Sequence, residues 1–198
     1  VEVNAMDIKD YISMMGPPLI EVDVVDVSDG RLRATKDELE KLGRSKVFSY
    51  SMMCGGLNQM VTDITRMAKP KSIKVLRIWG HGTPSVVGIS SGQDPRVIRV
   101  ELTGISPGAM ANPYQQLGLL KPFFAAKARL ELRGCETGAG ADAERLMNQL
   151  ADLLGVEVHA SPDDQAMYGL DWFGNVFVAV PGTPHAPLRS RPGIAVGN

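Results

Sequence analysis

SIKVLRIWGHG, residues 72–82, decides how this chain reads. Eight strand-forming residues, Ser72 to Trp79, run into Gly80-His81-Gly82-Thr83-Pro84, and the glycines and proline stop the strand at an imidazole. The same pattern returns in ARLELRGCETG, residues 128–138, where a short buried strand, Ala128 to Leu132, leads to the Gly134-Cys135 turn. Two strands, each delivering one reactive side chain beside glycine, predict a base and a nucleophile at the carboxyl edge of one sheet. Open α/β folds hold their chemistry at that edge.

The flanking segments supply the rest of an α/β pattern. Leu19 to Val27 alternates apolar and acidic residues and predicts a half-buried strand. Asp29-Gly30 reads as a turn into a hairpin partner starting at Arg31-Leu32. Thr35 and Glu38 have capping-box spacing for a short helix, Lys36 to Leu42, ended by Gly43. A strand is expected over Lys46 to Met52, and a helix over Asn58 to Ala68 from the spacing of Met60, Val61, Ile64 and Met67. Beyond His81 the sequence predicts a hairpin return over residues 85–90 and a β-like stretch over residues 97–102. Helices are expected at Tyr114 to Leu119 and from Pro122 through Lys127. Ala141 to Leu154 is the plainest helix, with Leu146, Leu150, Leu153 and Leu154 on one face and Gly155 as its stop. Strands follow at Val156 to Ala160 and Trp172 to Val180. The expected class is therefore α/β, with a largely parallel central sheet covered by helices on both faces. Three parts are expected: a β-containing extension over residues 1–45, a catalytic domain over 46–182, and a Pro/Gly-rich tail over 183–198.

Composition narrows the function classes. The chain has 198 residues, 44% apolar and 22% charged, enough for one substantial core. A net charge of -1 gives no basic field for nucleic acid. No apolar run approaches the roughly 20 residues that span a bilayer. The acidic N-terminal stretch lacks a signal-peptide pattern, so the expected place is the cytoplasm or the cytosol of a target cell. The three histidines and two cysteines show no paired metal-ligand spacing, and no cofactor is called for. GxGxxG is absent from the early strands, which argues against a dinucleotide site.

The chemistry left is that of a thiol with an imidazole. A free cysteine carries only a few per cent thiolate at neutral pH and needs a base or a favourable field. His81 is the candidate base, and the helix following Cys135 is a candidate source of partial positive charge. The backbone N–H groups of Gly82 and Cys135 are the expected donors to an oxyanion, each worth about 3 kcal/mol in a transition state. Cys54 is a competing thiol, best read as a packed one. His159 is expected to pack within the sheet, and His185 to be solvated.

IWGHGTPSVVGISSG, LELRGCETGAGADAERLMNQLADLLGVEVHASPDDQ and WFGNVFVAVPG together resemble the caspase-like (clan CD) cysteine peptidases, and most closely bacterial caspase-like domains of the DUF4347 type. The likeness spans roughly residues 46–182. It implies a three-layer caspase-haemoglobinase fold and hydrolysis of a peptide bond, with Cys135 as nucleophile, His81 as proton carrier and Gly82 in the oxyanion hole. Glu-Thr-Gly follows Cys135 where caspases have Arg-Gly, so cleavage after aspartate is not implied. A charged pocket residue selects the substrate in such peptidases. The candidates are Asp163, Asp164 and Glu136, with Asp142 behind them, and all would favour a basic side chain. An inositol phosphate activator would need a dense basic pocket, but strand alternation is expected to send Lys74 and Arg77 to opposite faces. The expected partner is a protein or peptide substrate, in self-processing or as the target of a bacterial effector; the sequence leaves the oligomeric state open. Two rivals stand beside this reading: a catalytically silent caspase-like interaction module, and a thiol esterase or transferase on a similar sheet.

Overall fold

A computed structural model describes residues 16–27, 30–50, 56–83, 86–87, 113–165, 170–183 and 189–192. These form an α/β structure around a seven-stranded sheet. In chain order the elements are β1 (Ile20–Asp26), α1 (Gly30–Leu42), β2 (Lys46–Tyr50), α2 (Gly56–Met67) and β3 (Ile73–Trp79). The two-residue strands β4 (Gly82–Thr83) and β5 (Val86–Val87) pair antiparallel as a separate ribbon. Then come α3 (Pro113–Gly118), a 3₁₀ turn at Lys121–Phe123, β6 (Phe124–Arg133), α4 (Gly140–Leu154), β7 (Glu157–Ala160), β8 (Asn175–Ala179) and β9 (Arg189–Pro192).

The sheet order is β2-β1-β3-β6-β7-β8-β9. Its first five strands are parallel, and the β7–β8 and β8–β9 pairs are antiparallel. The connection from β1 to β2 runs toward one edge, whereas β2 to β3, β3 to β6 and β6 to β7 run toward the other. Right-handed crossovers then require α1 on one face and α2, α3 and α4 on the opposite face. The packing agrees. Leu32 and Leu39 of α1 meet Val25 and Trp79, whereas α2 and α4 bury Met60, Ile64, Leu146 and Leu150 against Val22, Leu76, Ile78, Leu130 and Leu132. Along α4, Ala143, Leu146, Met147, Leu150, Ala151 and Leu154 form one buried stripe of helical spacing. Gly155 ends it with φ of 71° and donates its N–H to the Ala151 carbonyl.

Several expectations are corrected. Arg31-Leu32 does not begin a hairpin partner: residues 30–42 are one helix, because Leu32, Thr35 and Leu39 form a buried stripe that carries the chain across to a parallel β2. The described part of residues 1–45 is no extension, since β1 lies between β2 and β3 inside the sheet. Likewise residues 183–198 include β9, which extends that sheet beyond β8. The helix expected from Pro122 is a single 3₁₀ turn, after which the chain extends into β6. The expected strand over residues 97–102 lies outside the described residues.

Lys74 and Arg77 do not separate to opposite faces either. One extra β3 residue, Lys74, is accommodated where Ile20 pairs with Ile73 and Glu21 with Val75. Such a bulge breaks the two-residue alternation. Both cations consequently reach the same carboxylate, with Arg77 2.6 Å and Lys74 3.8 Å from Glu21.

Candidate active site

β3 and β6 are neighbours in the sheet and parallel, with Trp79 opposite Arg133. His81 follows Trp79 by two residues, and Cys135 follows Arg133 by two. The register therefore brings the imidazole-bearing and thiol-bearing turns to equivalent positions at the carboxyl edge. Their backbones touch. A Cβ placed on Gly82 would stand 2.2 Å from the Cys135 carbonyl oxygen and 2.6 Å from its amide nitrogen. A Cβ on Gly134 would stand 2.9 Å from the Gly82 Cα and 2.8 Å from the Thr137 hydroxyl oxygen. Only residues without a side chain let the two turns pack in this way.

His81 is exposed and Cys135 is half-buried, so the sulfur is not sealed in hydrocarbon. The Cys135 thiol donates to the Gln165 carbonyl at 3.5 Å, a contact that brings in a third loop, the one after β7. The Glu136 N–H donates to the Asp163 carbonyl at 3.1 Å, and the Gly138 N–H to the Ser161 carbonyl at 2.7 Å. Ser161 donates its hydroxyl to the Asn175 carbonyl and accepts the Asp163 N–H. The Gln165 side chain bonds Phe173 in both directions, donating to its carbonyl and accepting its N–H. Thr137, fully buried, donates to the Cys135 carbonyl at 3.4 Å. Gln165, Ser161 and Thr137 were not singled out in the sequence. They are ordinary polar turn residues, and their roles depend on which strands are neighbours.

The three acidic selectivity candidates fare differently. Asp163 accepts the Asn175 N–H at 2.6 Å, and a Cβ on Gly174 would collide with that carboxylate. This bond ties the loop after β7 to the start of β8 and leaves the carboxylate its negative charge. Asp164 and Glu136 are both exposed. Glu136 also has φ of 52°, an uncommon conformation for a side-chain-bearing residue, immediately after the thiol. Asp142 is exposed at the start of α4 and pairs with Arg145 at 2.7 Å. His159 is buried in β7, its Nε2 3.1 Å from a Glu157 carboxylate oxygen. Cys54 and His185 lie outside the described residues.

Beneath the two turns, the α1 face of the sheet carries buried charge beside its small apolar cluster. Glu131 is 1% exposed and meets three guanidiniums: Arg133 at 2.5 Å, Arg129 at 2.6 Å and Arg77 at 3.3 Å. Burial alone would raise the Glu131 carboxyl, but the Arg133 and Arg77 charges and the Arg129 hydrogen bond outweigh it and hold it at about 2. Arg77 also bonds Asp23 and Glu21, and the Trp79 indole donates to Asp23 at 2.6 Å. The Arg133 guanidinium carbon lies 3.9 Å from the Trp172 ring centroid and 5.0 Å from that of Trp79. Burial lowers the Arg133 pKa from its ordinary value, and Glu131 opposes that shift. A cavity of about 420 Å³ opens over this charged floor, walled by Leu39, Leu42, Leu170 and Trp172. Among the described residues, no group of three His, Cys, Asp or Glu side chains is disposed to hold a metal ion, and no helix is long and apolar enough to cross a membrane.

Gly82→Ala is expected to destabilise the protein by about 2 kcal/mol or more, as overpacking against backbone does. Gly30→Ala, whose Cβ would enter open space, is the control and is expected to be neutral or slightly stabilising. Urea denaturation of the two variants checks this.

The sequence model of one protein family, described as a domain of unknown function (DUF8616), matches residues 51–178, well over half of the chain. That span contains both turns, the loop after β7 and most of β8. No curated protein and no solved structure matches the chain.

Proposed function

This chain belongs to the DUF8616 family, and we propose that it is a caspase-like cysteine peptidase acting through Cys135 and His81. One observation carries the reading: the backbone of the His81-Gly82 turn packs on the Cys135 peptide at the carboxyl edge of adjacent parallel strands. The half-exposed thiol supports it as well.

In the proposed reaction, the Cys135 sulfur attacks the carbonyl carbon of the scissile peptide as the thiol proton passes to His81. The Gln165 carbonyl that holds the thiol in the resting state is released at this step. The carbonyl oxygen becomes an oxyanion facing the backbone N–H groups of Gly82 and Cys135. Collapse expels the amine, which takes the proton from His81, and leaves a thioester on Cys135. Water, deprotonated by His81, then attacks the thioester and releases the acid and the free thiol. The substrate is a protein or peptide, cleaved in self-processing or as the target of a bacterial effector. Preference for a basic side chain is assigned to Asp163, Asp164 and Glu136, of which Asp163 also accepts the Asn175 N–H.

Matched libraries of peptides and thioesters, incubated with the protein and read by mass spectrometry, test the reaction class. New peptide termini are expected. Turnover of thioesters alone would replace the reading with a thiol esterase, and turnover of neither would replace it with a silent interaction module.

A further inference from the structure

Three loops meet at the candidate site, and one side chain touches the root of each. Arg133 ends β6, two residues before Cys135. Its guanidinium stacks on Trp79, which ends β3 two residues before His81. It stacks more closely on Trp172. Phe173, the next residue, is held in both directions by the side chain of Gln165, whose carbonyl accepts the Cys135 thiol. The guanidinium itself is fixed from below, with Nε 2.8 Å and a terminal nitrogen 2.5 Å from one Glu131 oxygen. Trp79 is fixed in turn through its indole N–H to the fully buried Asp23.

A planar cation suits this position for a physical reason. Its edge satisfies the carboxylate while its faces remain available to aromatic rings. Lysine would keep the charge and lose both the planar stack and the paired donors. Arg133 is 8% exposed, so neither water nor a neighbouring surface group replaces it.

We infer that Arg133 is a positioning residue for the candidate site, setting the spacing of the thiol turn, the imidazole turn and the loop after β7 by stacking on Trp79 and Trp172. This rests on the Cys135–His81 reading and deepens it. The inferred role runs through the two turns and the loop after β7, not through contact with the reacting atoms.

The test uses the full chain with Cys54→Ala, which leaves Cys135 as its one thiol. In that background the rate of Cys135 alkylation by iodoacetamide is followed against pH, alone and with His81→Ala, Arg133→Lys or Trp172→Leu. Arg129→Met is the control, because Arg129 pairs with the same Glu131 but is a third exposed and touches neither tryptophan by stacking. Circular dichroism and urea midpoints establish folding, and indole fluorescence reports the stack, since the chain has two tryptophans and both lie against Arg133. Trp172→Leu keeps every ion pair and carries the test if Arg133→Lys does not fold.

The expected result is that His81→Ala removes a neutral-pH component of reactivity. Arg133→Lys and Trp172→Leu should reduce the same component by about 10-fold or more with the fold intact, consistent with the effect of small misplacements on reacting groups. Arg133→Lys should also change the indole emission, and Arg129→Met should match the parent profile. Folded Arg133→Lys and Trp172→Leu variants that keep the parent profile would overturn the inference while leaving the dyad standing. A parent profile unchanged by His81→Ala would overturn the dyad and the inference with it.

Discussion

Cys135→Ala is expected to abolish peptide hydrolysis, lowering kcat on the order of 10⁴-fold or more, with the fold retained. His81→Ala should cost a comparable factor, and the double variant little beyond the larger single loss. That non-additivity follows from the proposed division of labour: the sulfur forms the new bond while the imidazole carries the proton from thiol to leaving amine. Neither half works alone. Cys54→Ala is expected to leave turnover within about two-fold of the parent. Steady-state kinetics on a cleaved peptide, with product identified by mass, checks all four variants. Equal losses at Cys54 and Cys135, or a loss at Cys54 alone, would reject the assignment of Cys135 as the nucleophile. The fold is expected to be retained because Cys135 is only half-buried and its thiol makes a long 3.5 Å bond to the Gln165 carbonyl.

The largest expected effect on stability is at Glu131. Glu131→Gln should cost about 3–5 kcal/mol, the range for breaking a buried ion pair from one side. The carboxylate lies at the centre of Arg77, Arg129 and Arg133, and its removal leaves the buried Arg133 with an uncompensated charge. Acid sensitivity follows from the same contacts. The Glu131 carboxyl is held at about 2 in the folded protein, below the ordinary 4.5. Its contribution is thus present in full above about pH 4.5 and is lost as pH falls from there toward 2. The shift corresponds to about 3 kcal/mol. Urea midpoints measured from pH 7 down to pH 2.5 should fall for the parent across that window. For folded Glu131→Gln they should fall less.

Much of the fold was legible because its signals are local. The apolar stripe of residues 141–154 and the αL glycine at 155 define α4 from sequence alone, and the run ending at Trp79 defines β3. The Asp29-Gly30 dipeptide misled because turn chemistry and a helix start look alike, and the choice was made by burial of Leu32 and Leu39 against Val25 and Trp79. Pro122 misled in the same way: it begins one 3₁₀ turn, and β6 takes over where its residues pair with β3. Strand order is non-local. No window of sequence announces that β1 separates β2 from β3 or that β9 joins the sheet, so the expected extension and tail were drawn too generously.

The site was legible as two residues and illegible as a constellation. His81 and Cys135 stand out because each interrupts a strand beside glycine. Gln165 and Thr137 do not stand out, and the sequence gives no sign that Asp163 also bonds the Asn175 N–H. The charged floor did leave a trace. In EVD of β1, in RIW of β3 and in RLELR of β6, polar, charged or indole-bearing residues occupy every second position on the α1 side. Alternation of that kind in three buried strands marks a buried polar network, because isolated charges there would be too costly.

A peptidyl chloromethylketone offered to the native protein, followed by peptide mapping, tests the central claim most directly. The account predicts one adduct, on Cys135, formed much faster than in the denatured chain and slowed when His81 is alanine. Labelling at Cys54 instead, or labelling of Cys135 no faster than in the denatured chain, would contradict it.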